Sequence, residues 1–278
     1  MKTIVASICV DGTMAESNRY KFRSKILIDS TLKFTDFDVL LVTDDIDYFK
    51  DYNDNPRVFI EDFQSNFPDD ELIISGSFNY NLKRCPIKLA SEKDYDVVFY
   101  QDCDGFFSGW DQDSYEEMLS SEHEIYYATF YPHHTVNDQL SKPDNHPSTG
   151  PRVEAMGDLI YPDLLDAVLA VETKIIYKNS SKMKDMIDLW DKFSYKCQEL
   201  DMCVVPESLF FCMAGRHAKM EPIGVERDHP IGKNCNTMHG CLIEKRNGID
   251  EPVKMLDYFG LLERRFKTEE DLRLFLGI

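Results

Sequence analysis

Two acidic side chains, Asp102 and Asp104, follow directly after the apolar run VVFY at residues 97–100. The apolar run predicts a buried strand, so the tetrad Asp-Cys-Asp-Gly at residues 102–105 places two carboxylates at the carboxyl end of that strand. Open α/β folds bind their ligands at this edge of the sheet. Two carboxylates there offer the hard oxygen ligands of a divalent cation that is held against phosphates. The alternative is an acidic turn, because Asp and Gly also favour turns for local reasons.

Strands and helices alternate along the first half of the chain. Apolar runs at residues 3–10, 38–43 and 58–60 predict strands, whereas apolar residues near helical spacing predict helices at 16–33 and 82–93. Strands that are apolar throughout belong to a sheet that is covered on both faces. We therefore predict an α/β fold with a mostly parallel central sheet and helices on both of its faces.

The second half of the chain continues the alternation. The predicted strands lie at residues 96–101, 125–131 and 175–177, and the predicted helices lie at 180–200 and 206–214. Ser180-Ser181 caps the first of these helices, whereas the second begins at Pro206-Glu207 and ends at Gly215. No internal repeat and no sharp domain boundary interrupts this order.

A long stretch at residues 131–152 has no periodic apolar pattern. It contains four prolines and three of the seven histidines. A loop of this length inside a compact domain is usually functional or disordered. We predict that it forms a lid, ordered by itself or by substrate, on the same sheet as the two aspartates.

Length and composition bound the class of protein. A chain of 278 residues suits one large α/β domain, or such a domain with a smaller extension. The N-terminal residues lack the apolar core of a signal peptide, and no apolar run reaches the roughly 18 residues of a membrane span. We expect a soluble, cytoplasmic protein with no membrane partner. The eight cysteines contain no CxxC pair, so neither a zinc knuckle nor a disulfide framework is predicted.

The net charge of −19 opposes long-range attraction to polyanions such as nucleic acids. The charge is unevenly distributed, because residues 213–278 contain as many basic as acidic residues. All of the excess negative charge therefore lies in residues 1–212. The balanced part contains the basic pairs Lys245-Arg246 and Arg264-Arg265, which suit either ordinary solvated surface or a face that binds an anionic partner.

The aspartate pair and the segments around it resemble a known family. The segment FNYNLKRCPIKLASEKDYDVVFYQDCD, at residues 78–104, has a basic helix directly before the strand that ends in Asp-x-Asp. This arrangement, together with the order of elements over most of the chain, resembles the GT-A fold nucleotide-sugar glycosyltransferases of bacterial and phage type, which carry a DXD motif. The resemblance implies one GT-A, Rossmann-like domain at residues 1–240, with a nucleotide-sugar half at 1–110, an acceptor half at 111–240 and a helical extension at 241–278.

The resemblance also implies a metal site. On this interpretation Asp104 is the direct ligand of Mg²⁺ or Mn²⁺, whereas Asp102 binds the ribose or reaches the metal through water, as its counterpart does in related enzymes. His239, in Met238-His239-Gly240, looks like the histidine that several GT-A families return to the metal, and His229 is the competing candidate. A cation held there stabilises the charge that develops on a departing nucleoside diphosphate.

Other residues are candidates for binding the nucleotide sugar. The candidates for neutralising the diphosphate are Lys83, Arg84 and Lys233. For Lys83 and Arg84 the alternative is a solvated helix face. The candidates for contacting a uracil or guanine base, at the ends of the first two strands, are Cys9, Asp11, Thr43 and Asp44. The alternative for these four is a structural role in turns.

Two glutamates are candidate catalytic residues. Glu207 opens a predicted helix, and in retaining GT-A enzymes an acidic residue that opens a late helix lies beneath the anomeric carbon of the sugar. Glu172, before the strand at 175–177, is the other candidate, and a role at the strand entry is its alternative. Such a carboxylate acts as a nucleophile or stabilises an oxocarbenium-like centre in a retaining enzyme, and acts as a base in an inverting enzyme. The sequence leaves the stereochemistry open.

The resemblance implies transfer of a sugar from a nucleotide-sugar donor, with a UDP-sugar favoured, to a hydroxyl acceptor. Size and composition resemble phage-encoded enzymes that place arabinose or glucose on 5-hydroxymethylcytosine in phage DNA, which favours that acceptor and the host cytoplasm. A bacterial surface or capsular glycan is the alternative acceptor. A metal-dependent phosphohydrolase or nucleotidyltransferase is the alternative from another class, and it needs further carboxylates for a second metal. A catalytically silent binding protein of the same fold is the third hypothesis.

Overall fold

The structure is a computed structural model. It describes residues 1–10, 17–127, 130–141, 149–170, 174–202, 208–220, 222–224, 235–237, 244–246, 249–251, 254–255, 264–265 and 269–278. The strands are β1 (Thr3–Cys9), β2 (Asp38–Thr43), β3 (Val58–Asp62), β4 (Ile73–Ile74), β5 (Ser77–Phe78), β6 (Val97–Gln101), β7 (Gly105–Phe107), β8 (Ile125–Tyr127), β9 (Phe130–Thr135), β10 (Val168–Ala170), β11 (Lys174–Lys178), β12 (Pro222–Gly224), β13 (Cys235–Thr237), β14 (Glu244–Arg246), β15 (Ile249–Glu251), β16 (Lys254–Met255) and β17 (Arg264–Arg265).

The α-helices are α1 (Ser17–Phe34), α2 (Phe63–Asn66), α3 (Arg84–Ser91), α4 (Gln112–Leu119), α5 (Val136–Ser141), α6 (Thr149–Glu154), α7 (Pro162–Leu165), α8 (Ser181–Glu199), α9 (Ser208–His217) and α10 (Glu269–Leu276). Short 3₁₀ helices cover Ile46–Tyr52, Tyr80–Lys83 and Gly157–Leu159. The predicted helices at 16–33, 82–93 and 180–200 correspond to α1, α3 and α8.

Seven of the described strands form one central sheet, in the order β12-β8-β11-β6-β1-β2-β3. Every neighbouring pair is parallel except the two that involve β11, which runs antiparallel to β6 and to β8. The sheet is thus mostly parallel, and the predicted α/β class is confirmed. Because β1 and β6 are buried along their whole length, both faces of the sheet must be covered.

Alternate residues of β1 contribute to different cores, as the pleat of a strand requires. Ile4 and Ala6 pack in a large core with residues of α3, α8 and α9. Val5 and Cys9 pack on the opposite face, in clusters that contain Leu27 of α1 and other residues of the same helix. Helices therefore cover both faces, as predicted. Because α1 follows β1, its first turns lie at the carboxyl edge of the sheet.

The prediction of a loop at residues 131–152 is wrong for the residues that the structure describes. Strand β9 pairs antiparallel with β10, and helices α5 and α6 follow it. Val136 is completely buried at the start of α5, and its amide donates to the carbonyl of Ala167 at 2.9 Å. The pairing partner lies more than 30 residues along the chain, and a two-stranded edge tolerates a proline. Local periodicity could show neither effect.

The predicted end of helix α9 is also wrong. Gly215 is buried inside the helix, which continues to His217. The residue with positive φ is Lys219, at 55°, and the amide of Met220 donates to the carbonyl of Gly215 at 3.0 Å. This is the left-handed helix ending that glycine usually forms, and here lysine forms it. The predicted start at Pro206-Glu207 lies outside the described residues.

Helix α8 begins at Ser181 as predicted, but the side chain of Ser180 makes no capping hydrogen bond. Five of the described cysteines carry reduced thiols, namely Cys9, Cys85, Cys103, Cys197 and Cys212. No helix within the described residues is long and apolar enough to cross a membrane. The division of the chain at residue 240 stays a prediction.

Candidate functional site

The two aspartates lie in a tight turn between β6 and β7. The amide of Gly105 donates to the carbonyl of Asp102 at 2.8 Å, which closes the turn. Asp102 is partly exposed, and its Oδ1 accepts a hydrogen bond from the hydroxyl of Tyr100 at 2.7 Å. Asp104 is 8% exposed. The turn therefore presents two carboxylates at the carboxyl edge of the sheet, where the sequence predicts them.

Each carboxylate faces a basic side chain from another element. Lys83 Nζ lies 3.3 Å from Asp102 Oδ1, and Arg23 Nη1 lies 3.9 Å from Asp104 Oδ2. Both basic side chains are largely buried, with 11% of Lys83 and 2% of Arg23 exposed. These distances are longer than the 2.7–2.9 Å of a direct charge-assisted hydrogen bond. The pairs therefore balance charge without a tight bond between carboxylate and cation.

The elements explain why these four groups meet. Lys83 ends the 3₁₀ helix Tyr80–Lys83, which lies between β5 and α3. Arg23 lies in the second turn of α1, at the carboxyl edge of the sheet. Turn, 3₁₀ helix and α1 thus converge on one edge, and two acidic and two basic groups lie together there.

The ends of β1 and β2 lie beside each other, as the base-binding prediction requires. Cys9 and Thr43 are partners in the parallel register. Thr43 is buried, and its Oγ1 accepts a hydrogen bond from the amide of Asp45 at 3.2 Å. Asp44 is exposed at the same edge. Contact of these residues with a base stays a prediction, and Asp11 lies outside the described residues.

The thiol of Cys9 is buried in the core on the α1 side of the sheet. It contacts Cys103, the residue between the two aspartates. The hydrogen bond with Cys9, together with burial, raises the pKa of the Cys103 thiol well above its ordinary value. Cys103 therefore packs against the end of β1, in the cluster that contains Cys9.

A second cation of α1 lies at the same edge. Lys21 Nζ donates to Asp45 Oδ2 at 2.8 Å, and 8% of the lysine side chain is exposed. The hydrogen bond from Lys21 lowers the pKa of the Asp45 carboxyl. Asp45 also accepts a hydrogen bond from the amide of Tyr48, which caps the following 3₁₀ helix. Lys21 therefore fixes the loop after β2.

The structure does not support the predicted role of Arg84 in binding a diphosphate. Its guanidinium is 1% exposed and donates to Asp70 Oδ1 at 2.6 Å and to Asp191 Oδ1 at 2.5 Å. Asp191 also accepts from Lys88 at 2.6 Å. This network lies between α3 and α8. A cavity of about 250 Å³ opens beside it, and the cavity lining shares no residue with the aspartate site.

The residues that the structure describes offer two carboxylates for a metal, and no group of three or more His, Cys, Asp or Glu side chains among them could hold one. Carboxylate oxygens suit Mg²⁺ and Mn²⁺. The adjacent cations Lys83 and Arg23 repel a bare metal ion but favour phosphates. The donor set therefore fits a divalent cation that binds together with a diphosphate.

Several predicted site residues cannot be placed. The candidates that lie outside the described residues are Asp11, Glu172, Glu207, His229, Lys233 and His239. For His239 and Glu172, a residue two positions away in the sequence is described and pairs with a strand at the site. Thr237 of β13 pairs with Gly105 of β7, and Lys174 of β11 pairs with Gln101 of β6.

Sequence reasoning missed Arg23 and Lys21. Both lie between the apolar residues from which helix α1 was predicted, and neither was assigned a role. The available signal was their position in the chain, because a helix that follows a parallel strand begins at the carboxyl edge of the sheet. Basic residues in its first two turns are therefore candidates for the site. Lys174, which is 1% exposed at the same edge, was missed as well.

Gly105 has no room for a side chain. A Cβ atom added there would lie 1.9 Å from Gln101 Nε2 and 2.4 Å from Gln101 Cγ. Gln101 is fully buried, so its side chain has no open space to move into. We expect Gly105→Ala to lower the free energy of unfolding by about 1–3 kcal/mol through overpacking and to displace the turn that carries both aspartates. Denaturant unfolding measures the change in stability.

The matched control for this prediction is Gly76→Ala. Gly76 has positive φ, at 73°, but a Cβ atom added there would have no atom within 4 Å. Its substitution therefore reports the cost of backbone conformation alone, about 1 kcal/mol. A Gly105→Ala variant that unfolds at the wild-type denaturant concentration would contradict the packing argument.

No family model matches the chain, and no curated protein matches it. Among solved structures, mouse xyloside xylosyltransferase 1 in its apo form is similar, with a TM-score of 0.45 and 12% identity over 81% of this chain and 85% of that chain. Galactosyltransferase LgtC, in complex with donor and acceptor sugar analogues, is similar with a TM-score of 0.43 and 10% identity over 76% of this chain and 70% of that one. Both TM-scores are below 0.5.

Proposed function

We propose that this chain is a metal-dependent glycosyltransferase of the GT-A type, which moves a sugar from a nucleotide-sugar donor, a UDP-sugar, to a hydroxyl acceptor. The observation that carries the proposal is the turn at the carboxyl end of β6, where Asp102 and Asp104 face Lys83 and Arg23 at 3.3 and 3.9 Å. This arrangement suits a ligand that contains both a divalent cation and phosphates. A metal-bound nucleoside diphosphate is such a ligand.

The charges of the four groups favour that ligand over either of its parts. A bare cation is attracted by the two carboxylates but repelled by the two basic groups. A bare diphosphate is attracted by the two basic groups but repelled by the two carboxylates. When both arrive together, the carboxylates face the cation while Lys83 and Arg23 face phosphate oxygens. Because the site is largely buried, these interactions are stronger than they would be in water.

The proposed roles follow from position. Asp104 binds the metal directly, Asp102 binds the ribose or a metal-bound water, and Lys83 donates to the diphosphate. When bound, a Mn²⁺ or Mg²⁺ ion supplies Lewis-acid stabilisation of the charge on the leaving group. Lys233 is proposed as a second phosphate contact, and Cys9, Asp11, Thr43 and Asp44 form the proposed base-binding edge.

His239 is proposed as the third protein ligand. Thr237, two residues before it, pairs with Gly105, the residue that follows Asp104. Two residues of extended chain span at most about 7 Å, and this short separation from the Thr237–Gly105 pair supports the choice of His239. The same length argument supports Glu172, which lies two residues before Lys174, the strand partner of Gln101. His229 stays the competing ligand, and Glu207 stays the other catalytic candidate.

Lys83→Met is expected to weaken binding of the Mn²⁺ complex of UDP by about 10- to 100-fold, because a largely buried charge-assisted contact is lost. Isothermal titration calorimetry with Mn²⁺ and UDP measures this change. Lys93→Met is the matched control, since Lys93 forms a partly buried pair with Glu61 at 3.1 Å and is not among the proposed site residues. Equal affinity of the two variants would remove Lys83 from the proposed site.

The proposed acceptor is the hydroxyl of 5-hydroxymethylcytosine in DNA, and a bacterial surface or capsular glycan is the alternative. Mass spectrometry identifies both substrates after incubation of each acceptor with a panel of sugar nucleotides, with Mn²⁺ or with excess chelator. A mass gain that requires the metal supports the proposal. Equal activity in chelator would contradict the metal dependence.

A metal-dependent phosphohydrolase or nucleotidyltransferase is the alternative from another class. It needs carboxylates for a second metal, and the described residues contain no group of three candidate ligands. The same product analysis separates the classes, because a hydrolase releases free sugar phosphate or sugar and leaves the acceptor unmodified. That outcome would replace the glycosyltransferase proposal.

A further inference from the structure

The last helix of the chain, α10, packs against α1, which carries Arg23, and against β7, which directly follows Asp104. Leu272 and Leu276 of α10 are 0% and 4% exposed, and they form one apolar cluster with Ile26 of α1 and Phe106 of β7. Ile26 and Phe106 are fully buried. These contacts join residues that are more than 160 positions apart in the sequence. The helix therefore covers the seam between α1 and β7.

Polar contacts fix α10 in the same place. Arg273 Nη2 donates to Asp29 Oδ2 at 2.8 Å. Lys33 Nζ donates to the carbonyl of Leu276 at 2.7 Å and to the carbonyl of Gly277 at 2.9 Å. The last carbonyls of a helix lack partners within the helix, so a lysine from α1 that binds them fixes the helix end. One ion pair, a lysine that binds two carbonyls and an apolar cluster thus determine the position of α10 along α1.

The residues of the seam lie close in the sequence to residues of the candidate site. Phe106 lies two residues after Asp104, and Ile26 lies three residues, or nearly one helical turn, after Arg23. Within the seam, the buried amide of Phe107 donates to Ser30 Oγ of α1 at 3.1 Å. Any separation of α1 from β7 therefore changes the distance between Arg23 and Asp104.

We propose that α10 is a positioning element: its packing holds α1 against β7 and thereby fixes the carboxylate of Asp104 and the guanidinium of Arg23 for their ligand. Leu272, Leu276 and Arg273 are positioning residues, and none of them is expected to touch the ligand. That the ligand is a metal-bound nucleoside diphosphate rests on the proposed function, whereas the packing of α10 on α1 and β7 does not. A shift of about 1 Å in such groups is enough to lower catalysis about 100-fold.

The test compares three variants of the full chain. Leu272→Ala truncates the fully buried side chain of α10 that belongs to the apolar cluster with Ile26 and Phe106. Leu274→Ala is the control on the same helix, since Leu274 is 79% exposed. Leu189→Ala is the control for general destabilisation, because Leu189 of α8 is 6% exposed and belongs to the core on the opposite face. Thermal unfolding identifies conditions at which Leu272→Ala and Leu189→Ala are equally stable.

The first measurement needs no ligand. Hydrogen exchange with mass spectrometry is followed in peptides that cover residues 102–108, which contain the bonded amides of Gly105 and Phe107. At matched stability, exchange in Leu272→Ala should be about tenfold faster than in Leu189→Ala, because the seam opens locally. Leu274→Ala should match the wild type. Equal exchange in Leu272→Ala and Leu189→Ala would overturn the proposal.

The second measurement is affinity for the Mn²⁺ complex of UDP. Leu272→Ala should bind it about tenfold more weakly than Leu189→Ala does. If the wild type fails to bind the complex, the proposed function fails, while the exchange measurement still decides the role of α10. If Leu272→Ala does not fold, Arg273→Gln replaces it, because it removes the bond to Asp29 without opening a cavity. Wild-type exchange in Arg273→Gln would then overturn the proposal.

Discussion

Asp104→Asn is expected to abolish metal-dependent binding of a nucleoside diphosphate and to lower the rate of sugar transfer by about 1,000-fold, the loss typical of a removed electrostatic group. Asn has nearly the shape of Asp, so the turn closed by Gly105 and Asp102 should persist. What changes is the charge. A neutral amide is a poor ligand for Mg²⁺ or Mn²⁺ and cannot balance Arg23.

The same substitution should also lower stability. Arg23 is a buried guanidinium 3.9 Å from Asp104 Oδ2, and the loss of a negative charge beside a buried cation costs about 1–3 kcal/mol. The double variant Arg23→Gln with Asp104→Asn should recover much of that stability but none of the binding. This separation of stability from binding is what a metal ligand, as opposed to a purely structural ion pair, requires.

Three measurements check this prediction. Calorimetry with Mn²⁺ and UDP reports binding, product analysis reports transfer, and urea unfolding reports stability. Asp113→Asn is the matched control, because Asp113 is exposed on α4 and has no part in the proposed site. Wild-type affinity in Asp104→Asn would show that the carboxylate holds no metal, and the proposed function would lose its main support.

Local sequence patterns located the strands that are buried along almost their whole length. Strands β1, β2 and β6 are buried almost throughout, so an unbroken apolar run was enough to locate each of them. Strand β9 failed because its stability depends on β10, which no window of local sequence includes. The antiparallel direction of β11 was missed for the same reason.

In the candidate site, too, local sequence could not identify interaction partners that are distant along the chain. Lys83 and Arg84 are adjacent in the sequence and equally basic, yet Lys83 faces Asp102 and Arg84 faces Asp70 and Asp191. Successive residues of a helix point about 100° apart, so neighbours at the junction of two helices reach different sides. The sequence indicated that Lys83 and Arg84 are basic residues near the site, but it could not show which carboxylates they contact. Asp191, for example, lies 107 positions from Arg84.

The network around Arg84 should be a main determinant of stability. Arg84→Met is expected to lower the free energy of unfolding by about 3–5 kcal/mol, because it leaves Asp70 and Asp191 without their buried cation. The side chain of Asp70 is 0% exposed, and its Oδ2 has no hydrogen-bond partner. Its charge therefore depends on Arg84 for compensation. Asp191 is less affected, since Lys88 also donates to it.

Urea unfolding with tryptophan fluorescence measures this effect, and Trp190 is well placed to report it. Its indole is fully buried and donates to Asn81 Oδ1 at 3.1 Å, while the carbonyl of Asn81 accepts from Arg84. Lys196→Met is the control for loss of a more exposed cation, because Lys196 is 29% exposed and its partner Glu199 is 66% exposed, so the pair should contribute at most about 0.5 kcal/mol.

The combination of Arg84→Met with Asp70→Asn distinguishes charge from packing. If the cost of Arg84→Met comes from an uncompensated carboxylate, neutralising Asp70 should return about half of it or more, and the two substitutions should be strongly non-additive. If the cost comes from lost packing, the double variant should be less stable than either single variant. Binding of the Mn²⁺ complex of UDP should persist in the folded fraction of all three variants, because the network shares no residue with the aspartate site. A specific loss of binding in Arg84→Met at full folding would instead return Arg84 to the diphosphate site from which its buried ion pairs exclude it.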